Sequence, residues 1–293
     1  MENRKRISIS GVQEELSLLL EKNQLRLTVA GKQGQYLLKP IPRDVKRPDQ
    51  VSANEHLTMQ VAHQVYKIQL AGNALILFQN GEPAYITKRF DHKLDGTKHS
   101  QEDFASLAGR TSYTAGRGFK YEGSYEDVAL IIKETVPVYQ VELEKLFTLV
   151  LFNYLFPNGD TLLKNFSFID TSYGDYVLSP AYDLICTRLH VEDTNFALKD
   201  GLFYDEHETE SFKASSFCAY NDFYAFALRI GIKETRAVRI LHAFQQDYPA
   251  AHDLNDRSFL RDEVKEEYRK YYMQRLEVLN YSMTGKLPQE RKL

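Results

Sequence analysis

The sequence contains few residues of the kinds that stabilise secreted or membrane-spanning proteins. It has two cysteines, Cys186 and Cys218, and no tryptophan in 293 residues. Because the two cysteines show no CxxC spacing, we expect free thiols in a reducing compartment. No stretch approaches the roughly 20 apolar residues that cross a bilayer, and no apolar segment of a signal peptide follows the basic N-terminal residues. We therefore expect a cytoplasmic protein that does not contact a membrane.

An excess of charge of one sign is also missing. The net charge is -3 and the isoelectric point is about 6.3, which excludes a nucleic-acid binder that works through a basic surface. The HExxH, GxSxG and Walker A patterns do not occur either, so the enzymes that depend on them are excluded. A hydrophobic fraction of 43% and a charged fraction of 26% are typical of a globular protein.

The hydrophobic pattern changes near residue 90. Before it, the apolar runs LRLTVA, QYLLKP, ALILFQ and AYITKRF alternate with turn residues and predict strands, while NEHLTMQVAHQVYKI predicts one helix. After it, QEDFASLA, SYEDVALIIKETV, VELEKLFTLVLFNYLF and three segments between residues 221 and 280 predict helices. NFSFID and YVLSP predict a hairpin among them. The sequence therefore predicts an α+β protein with a β-rich lobe at 1–95 and a mostly helical lobe at 96–293.

The segment NGDTLLKN, which follows a long apolar run, places three reactive groups close together. Asp160 and Asn165 are five residues apart, and Lys164 precedes the amide. A phosphotransferase uses such a carboxylate to orient the acceptor hydroxyl, and such an amide oxygen to bind Mg²⁺. The lysine could neutralise charge on the phosphoryl group. The alternative is a simple turn in which Asn-Gly-Asp was selected for its backbone preferences.

Two further segments contain charged residues in apolar surroundings. LSPAYDL contains Asp183, where protein-kinase-like enzymes have a second metal ligand; a cap or an ion pair is the alternative. YLLKP contains Lys39 at the end of a strand, and Glu55, expected as the first residue of the following helix, could pair with it. Taken alone, LLKP is more typical of an edge-strand lysine that faces solvent.

Two other segments could complete a nucleotide site. RISISGVQEELSLLL could form a hairpin over phosphates, although its single glycine, Gly11, does not make the GxGxxG pattern. Ser8 and Ser10 would share one face of the strand, and a half-buried strand with a polar face is the alternative. AYITKRFDH lies where the composition changes, so its backbone could serve as a hinge that binds adenine.

Taken together, these segments resemble a known family. SISGVQEELSL, YLLKP, NEHLTM, ITKRFDH, QEDF, KYEGSYEDV, NGDTLLKNFSF and LSPAYDL occur in the same order as in the HipA-type serine/threonine kinases of bacterial toxin–antitoxin systems. The resemblance extends from about residue 6 to about residue 250. It implies a two-lobed, protein-kinase-like fold with an ATP cleft between the lobes.

The resemblance implies a role for each matching residue. Asp160 would be the catalytic aspartate, with Lys164 beside the γ-phosphate, and Asn165 and Asp183 would hold Mg²⁺. The ATP site would comprise Ser10, Gly11, Val12, Lys39, Glu55 and the segment Lys88, Arg89 and Phe90. Ser8 and Ser10 would be autophosphorylation sites.

The chain is most similar to the short HipT toxins, which lack an N-terminal subdomain that a separate antitoxin supplies. This similarity implies HipS-like and HipB-like antitoxins as partners, DNA contact only through an antitoxin, and a protein substrate such as an aminoacyl-tRNA synthetase. One departure is Leu162, where the family has a histidine that orients the catalytic segment.

Two other functions remain open at this point. One is a small-molecule kinase of the aminoglycoside or choline type, which also has an acidic catalytic segment with asparagine. The other is a catalytically weak nucleotide-binding module that acts through protein partners, which Leu162 favours.

Overall fold

The computed structural model describes residues 13–29, 34–93, 97–109 and 119–282. Within them, the first sheet is antiparallel, with the strand order β2-β1-β3-β5-β4. Its strands are β1 (Leu16–Glu21), β2 (Gln24–Leu27), β3 (Tyr36–Lys39), β4 (Asn73–Leu77) and β5 (Pro83–Lys88).

Lys39 ends the central strand of this sheet. Its neighbour Leu38 pairs with Leu16 on one side and with Ile86 on the other, and Leu18, Leu38 and Ile86 form a small apolar cluster with Ala84. The interpretation of LLKP as an edge strand is therefore wrong, because the alternation in a short strand does not show how many neighbours it has.

The predicted helix between the third and fourth strands is α1 (Val51–Gln64). It begins three residues earlier than NEHL, so Glu55 is its fifth residue and the prediction that Glu55 is the first is wrong. Leu57, Met59 and Val61 belong to the same apolar cluster as the core of the helical part. The helix therefore joins the sheet to the rest of the molecule.

The rest of the described chain is mostly helical. In chain order its α-helices are α2 (Phe104–Leu107), α3 (Tyr125–Thr135), α4 (Tyr139–Leu155), α5 (Glu210–Ser215), α6 (Tyr220–Arg229), α7 (Glu234–Phe244), α8 (Pro249–Asp256) and α9 (Asp262–Leu279). The N-terminus of α3 is closed by a capping box. The Ser124 hydroxyl accepts from the backbone N–H of Asp127 at 3.2 Å, and the Asp127 carboxylate accepts from that of Ser124 at 2.8 Å.

A second, three-stranded antiparallel sheet lies within the helical part. It comprises β6 (Gln101–Asp103), β7 (Ser167–Asp170) and β8 (Tyr176–Leu178), in that order. The predicted hairpin is β7 and β8. The prediction of a helix throughout QEDFASLA is wrong for its first three residues, because Gln101–Asp103 pairs with β7 and only Phe104–Leu107 is helical.

No helix in the part of the chain that the structure describes combines the length and the hydrophobicity needed to span a lipid bilayer.

Candidate active site

Most of the described candidate residues line one cavity of about 590 Å³ between the first sheet and the helical part. Lys39 reaches it from the end of β3, and Asp183 reaches it from the segment after β8. Asp160 and Glu55 line an adjoining recess that Lys39, Asn165 and Asp183 share. The remaining candidates on the main cavity are Lys88, Arg89, Phe90, Lys164 and Asn165. Ser8, Ser10, Gly11 and Val12 lie outside the described residues.

Lys39 is buried and bonded to two carboxylates. Its Nζ donates to Glu55 Oε1 at 2.8 Å and to Asp183 Oδ1 at 2.5 Å. Burial by itself would lower the pKa of Lys39, but the two carboxylates raise it overall. Burial raises the pKa of Glu55 to about 7, against the opposing effect of Lys39. The lysine is therefore charged, and it connects the sheet, α1 and the segment after β8.

Asp183 and Asn165 form the oxygen-bearing side of the cavity. Asn165 Nδ2 donates to Asp183 Oδ2 at 3.1 Å, and Asn165 Oδ1 accepts from the backbone N–H of Leu162 at 2.8 Å. Asp183 has φ +57°, a left-handed conformation that is uncommon for a residue other than glycine and often marks a functional site. The contacts of Asp183 hold its carboxylate at the cavity in this conformation.

These two side chains fit Mg²⁺, which prefers carboxylate and amide oxygens. The Asn165 carbonyl keeps a second lone pair for a metal. No group of three His, Cys, Asp or Glu side chains that could hold a metal occurs in the described ranges. A divalent ion at this position would therefore need oxygen atoms from water or from a bound nucleotide to complete its coordination.

Asp160 lies at the end of a segment that hydrogen bonds fix. Asn158 Oδ1 accepts from the backbone N–H of Asp160 at 3.2 Å. Asn158 Nδ2 donates to Asn153 Oδ1 of α4 at 2.9 Å and to the backbone carbonyl of Asp183 at 3.2 Å. One asparagine therefore links α4, the residue predicted as catalytic and the residue predicted as metal ligand. Asn158 was not predicted, although its position two residues before Asp160 was a usable signal.

Leu162 is buried, and its contribution to the site is a backbone group. Its N–H donates to Asn165 Oδ1. Every residue other than proline has this backbone N–H. A histidine at position 162 would therefore orient Asn165 through the same hydrogen bond as the leucine does. What a leucine side chain cannot supply is a hydrogen bond of its own.

The predicted hinge combines aromatic and backbone contacts. The rings of Phe90 and Tyr182 stack with their centroids 5.7 Å apart, and the Tyr182 hydroxyl donates to the Lys164 carbonyl at 2.8 Å. The backbone N–H groups of Lys88 and Arg89 already donate to Gly72 and Gln35. A hydrogen bond from this backbone to adenine would therefore have to come from Phe90 or beyond.

Glu15 and Tyr182 also line the cavity, and neither was predicted. Leu16 pairs with Leu38, which brings Glu15 beside Lys39. In the sequence, the pair Glu14–Glu15 looks like ordinary surface charge. Only the pairing of β1 with β3, which the structure shows, places Glu15 at the cavity.

The segment after Asp183 is connected to α1 by a buried histidine. His190 Nδ1 lies 2.9 Å from the Lys46 carbonyl, to which it must donate, and His190 Nε2 lies 2.9 Å from Asn54 Nδ2. The Asn54 amide is oriented by the backbone of Cys186, so its Nδ2 donates to the histidine. The imidazole is therefore neutral, and burial lowers its pKa to about 4.

This arrangement predicts a stability that depends on pH. In the unfolded chain the pKa of His190 is about 6.5, so the unfolded state binds the proton first and the free energy of unfolding falls as the pH drops from 6.5 towards 4. Between pH 7 and pH 4.5 we expect the wild type to lose roughly 2 kcal/mol more than a His190→Gln variant. Urea unfolding of both proteins at the two pH values measures this difference, and equal losses would contradict the neutral buried imidazole.

Comparison with known proteins connects this geometry to kinases. The sequence pattern of the HipA-like C-terminal domain matches residues 7–252. A protein of Haemophilus influenzae named "Putative kinase" is 25% identical over 287 residues, which cover 94% of the chain and 82% of that protein. "Putative kinase Y4mE" of Sinorhizobium fredii is 28% identical over 189 residues, which cover 62% of the chain and 43% of that protein.

Two solved structures have a similar fold. HipA of Shewanella oneidensis, solved with HipB and its operator DNA, matches with a TM-score of 0.68 and 19% identity over 94% of the chain. The chain spans 65% of that HipA. The Helicobacter pylori proinflammatory kinase CtkA matches with a TM-score of 0.55 and 13% identity, over 89% of the chain and 93% of CtkA. The predicted α+β, two-lobed kinase-like fold is thereby confirmed.

Proposed function

Because the chain belongs to the HipA-like C-terminal domain family, we propose that it is an ATP- and Mg²⁺-dependent serine/threonine protein kinase. The observation that supports this most directly is the convergence on Asp183. Lys39 binds this carboxylate from the sheet, while Asn165 binds it from the catalytic segment. Glu55 holds the same lysine from α1. A lysine–glutamate pair facing a metal-binding aspartate is the arrangement that protein kinases require.

In this proposal the chain's residues bind and orient, and do little covalent chemistry. Lys39 holds the ATP phosphates, Phe90 and Tyr182 enclose the base, and Asn165 and Asp183 hold Mg²⁺. The ion, when bound, neutralises the charge that develops on the phosphate oxygens. Asp160 orients the acceptor hydroxyl and accepts its proton, and Lys164 lies on the cavity where the γ-phosphate would be.

The proposed biological role is that of a HipT-like toxin with lobes at 1–95 and 96–293. Its partners would be HipS-like and HipB-like antitoxins, with DNA reached through the antitoxin. Two observations support this role: the family match and the similarity to a HipA solved with HipB and DNA. The proposed substrate is a translation-related protein such as an aminoacyl-tRNA synthetase.

Mass spectrometry of the intact protein after incubation with Mg²⁺ and ATP tests the kinase proposal. We expect one or two added phosphate groups in the wild type, on Ser8 and Ser10. An Asp183→Asn variant should show none, because it lacks the carboxylate that Lys39 and Asn165 both bind. Asp253→Asn, an exposed change on α8, is the matched control and should behave as the wild type.

A wild type that gains no phosphate at high enzyme concentration contradicts self-phosphorylation and favours a nucleotide-binding module. Turnover of ATP that depends on an added aminoglycoside or choline favours a small-molecule kinase.

A further inference from the structure

The half-buried side chain of Asp193 contacts the backbone of the segment that contains Asp160. Asp193 Oδ2 accepts a hydrogen bond from the backbone N–H of Gly159 at 3.1 Å. The Thr187 hydroxyl donates to the same oxygen, and Thr187 Oγ1 also lies 2.9 Å from the Gly159 nitrogen. Gly159 immediately precedes Asp160, so this contact fixes the peptide that leads into the residue proposed as catalytic.

The glycine and the aspartate are matched in space. A Cβ atom added to Gly159 would lie 2.6 Å from both Asp193 Cγ and Asp193 Oδ2. Real Cβ atoms essentially never approach other atoms that closely, so no other residue fits here without moving the backbone or the carboxylate. Position 159 therefore requires glycine because of a close approach.

The surroundings of Asp193 do not look like those of a group retained for stability. Asp193 Oδ1 is buried and, within the described part of the chain, has no hydrogen-bond partner. Burial raises the pKa of Asp193, although the hydrogen bonds from Thr187 and Gly159 and the positive charge of Arg188 oppose this. A buried carboxylate with one oxygen unbonded costs free energy. Its retention is more readily explained by a role in the site.

The peptide N–H groups of Gly159 and Asp160 are bound by side chains from different segments. Asp193 and Thr187 hold the N–H of Gly159, and Asn158 Oδ1 holds the N–H of Asp160. Asp193 follows Asp183 by ten residues, so one segment carries both the proposed metal ligand and the group that holds the catalytic segment.

We propose that Asp193 is a positioning residue that, together with Thr187, sets the placement of Asp160 relative to Asp183. This inference rests on the proposed kinase activity, because it assigns Asp193 a part in orienting the proton acceptor. Asp193 does not touch the cavity, and therefore acts on the rate through Gly159 and Asp160.

Steady-state kinetics of variants at Asp193 and Gly159 test this role. Asp193→Ala should lower kcat about 10²-fold, since misplacing a reacting group by about 1 Å has an effect of this size. KM for ATP should change less than about threefold, because Lys39, Asn165 and Asp183 are untouched. Asp193→Asn keeps a carbonyl that can accept from Gly159, and should retain about tenfold more activity than Asp193→Ala.

The decisive variants change Gly159. Gly159→Ala alone should lower kcat about 10²-fold, because its Cβ displaces the catalytic segment. Asp193→Gly removes all three clashing atoms, which are Cβ, Cγ and Oδ2 of Asp193, so in that background Gly159→Ala should lower kcat further by less than about threefold. Such non-additivity identifies the direct contact as the cause.

Melting temperature and binding of Mg²⁺ with a non-hydrolysable ATP analogue serve as controls and should remain close to wild type in Asp193→Asn. The inference is wrong if the reductions in kcat caused by the two single changes multiply in the double variant, or if kcat is unchanged in the Asp193 single variants. Either result leaves the kinase proposal standing. A wild type without any phosphoryl transfer overturns the kinase proposal and this inference with it.

Discussion

Replacing Asp160 by asparagine is expected to lower kcat for phosphoryl transfer about 10³-fold, which is within the range for loss of a proton-accepting group. Asparagine keeps the shape of the side chain but cannot accept the proton of the acceptor hydroxyl. The backbone N–H of residue 160 can still donate to Asn158, so the segment should keep its conformation. Transfer of labelled phosphate from ATP to the protein, measured in single-turnover conditions, provides the rate.

KM for ATP should remain within about threefold of wild type, because Asp160 orients the acceptor and not the nucleotide. The exposed Asp253→Asn change is again the matched control. If the Asp160→Asn protein phosphorylates itself at the wild-type rate without wild-type enzyme present, Asp160 is not the catalytic aspartate.

The second large effect concerns stability. Lys39→Met should lower the free energy of unfolding by about 3–5 kcal/mol at pH 8, as expected when one partner of a buried ion pair is removed. Glu55 is 2% exposed and would lose the cation that Lys39 Nζ provides at 2.8 Å. Urea unfolding of wild type and variant measures the loss.

The same variant should be less affected at low pH. Burial already raises the pKa of Glu55 to about 7, and loss of Lys39 raises it further. A carboxyl group whose pKa is higher in the folded than in the unfolded state contributes stability at low pH, and that contribution is lost as the pH rises through the folded pKa. The deficit of Lys39→Met should therefore be smaller at pH 5 than at pH 8.

Two further variants make this result specific. Adding Glu55→Gln to Lys39→Met removes the stranded carboxylate and should recover part of the lost stability at pH 8. Lys88→Met, at the exposed end of β5, should cost less than about 0.5 kcal/mol. A Lys39→Met deficit of equal size at both pH values, or no recovery with Glu55→Gln, would show that packing and not charge causes the loss.

Local patterns in the sequence were sufficient for much of the fold. The alternation in QYLLKP and AYITKRF, the helical spacing in SYEDVALIIKETV and the hairpin of NFSFID and YVLSP all correspond to observed elements. Each of these signals lies within a short stretch of chain. The grouping of Lys39, Asp160, Asn165 and Asp183 was instead expected from the resemblance to HipA-type kinases, which depends on the order of eight motifs along the chain.

What the sequence did not predict depends on contacts between distant segments. Gln101–Asp103 is a strand because β7, more than sixty residues later, pairs with it. Asp193 meets Gly159 across 34 residues, and VEDTN looks like an ordinary polar loop. The helix α8 was not predicted either; it has only 8 residues and begins at Pro249.

The depth at which α1 lies has a consequence for how the proposed kinase activity could be turned off. Val51, Ser52 and Asn54 are fully enclosed, and Leu57, Met59 and Val61 are part of the main core. An outward rotation of this helix would break Lys39 away from Glu55, but it would also open voids throughout that core. An outward swing of the helix that carries Glu55 would therefore cost much of the packing of the main core.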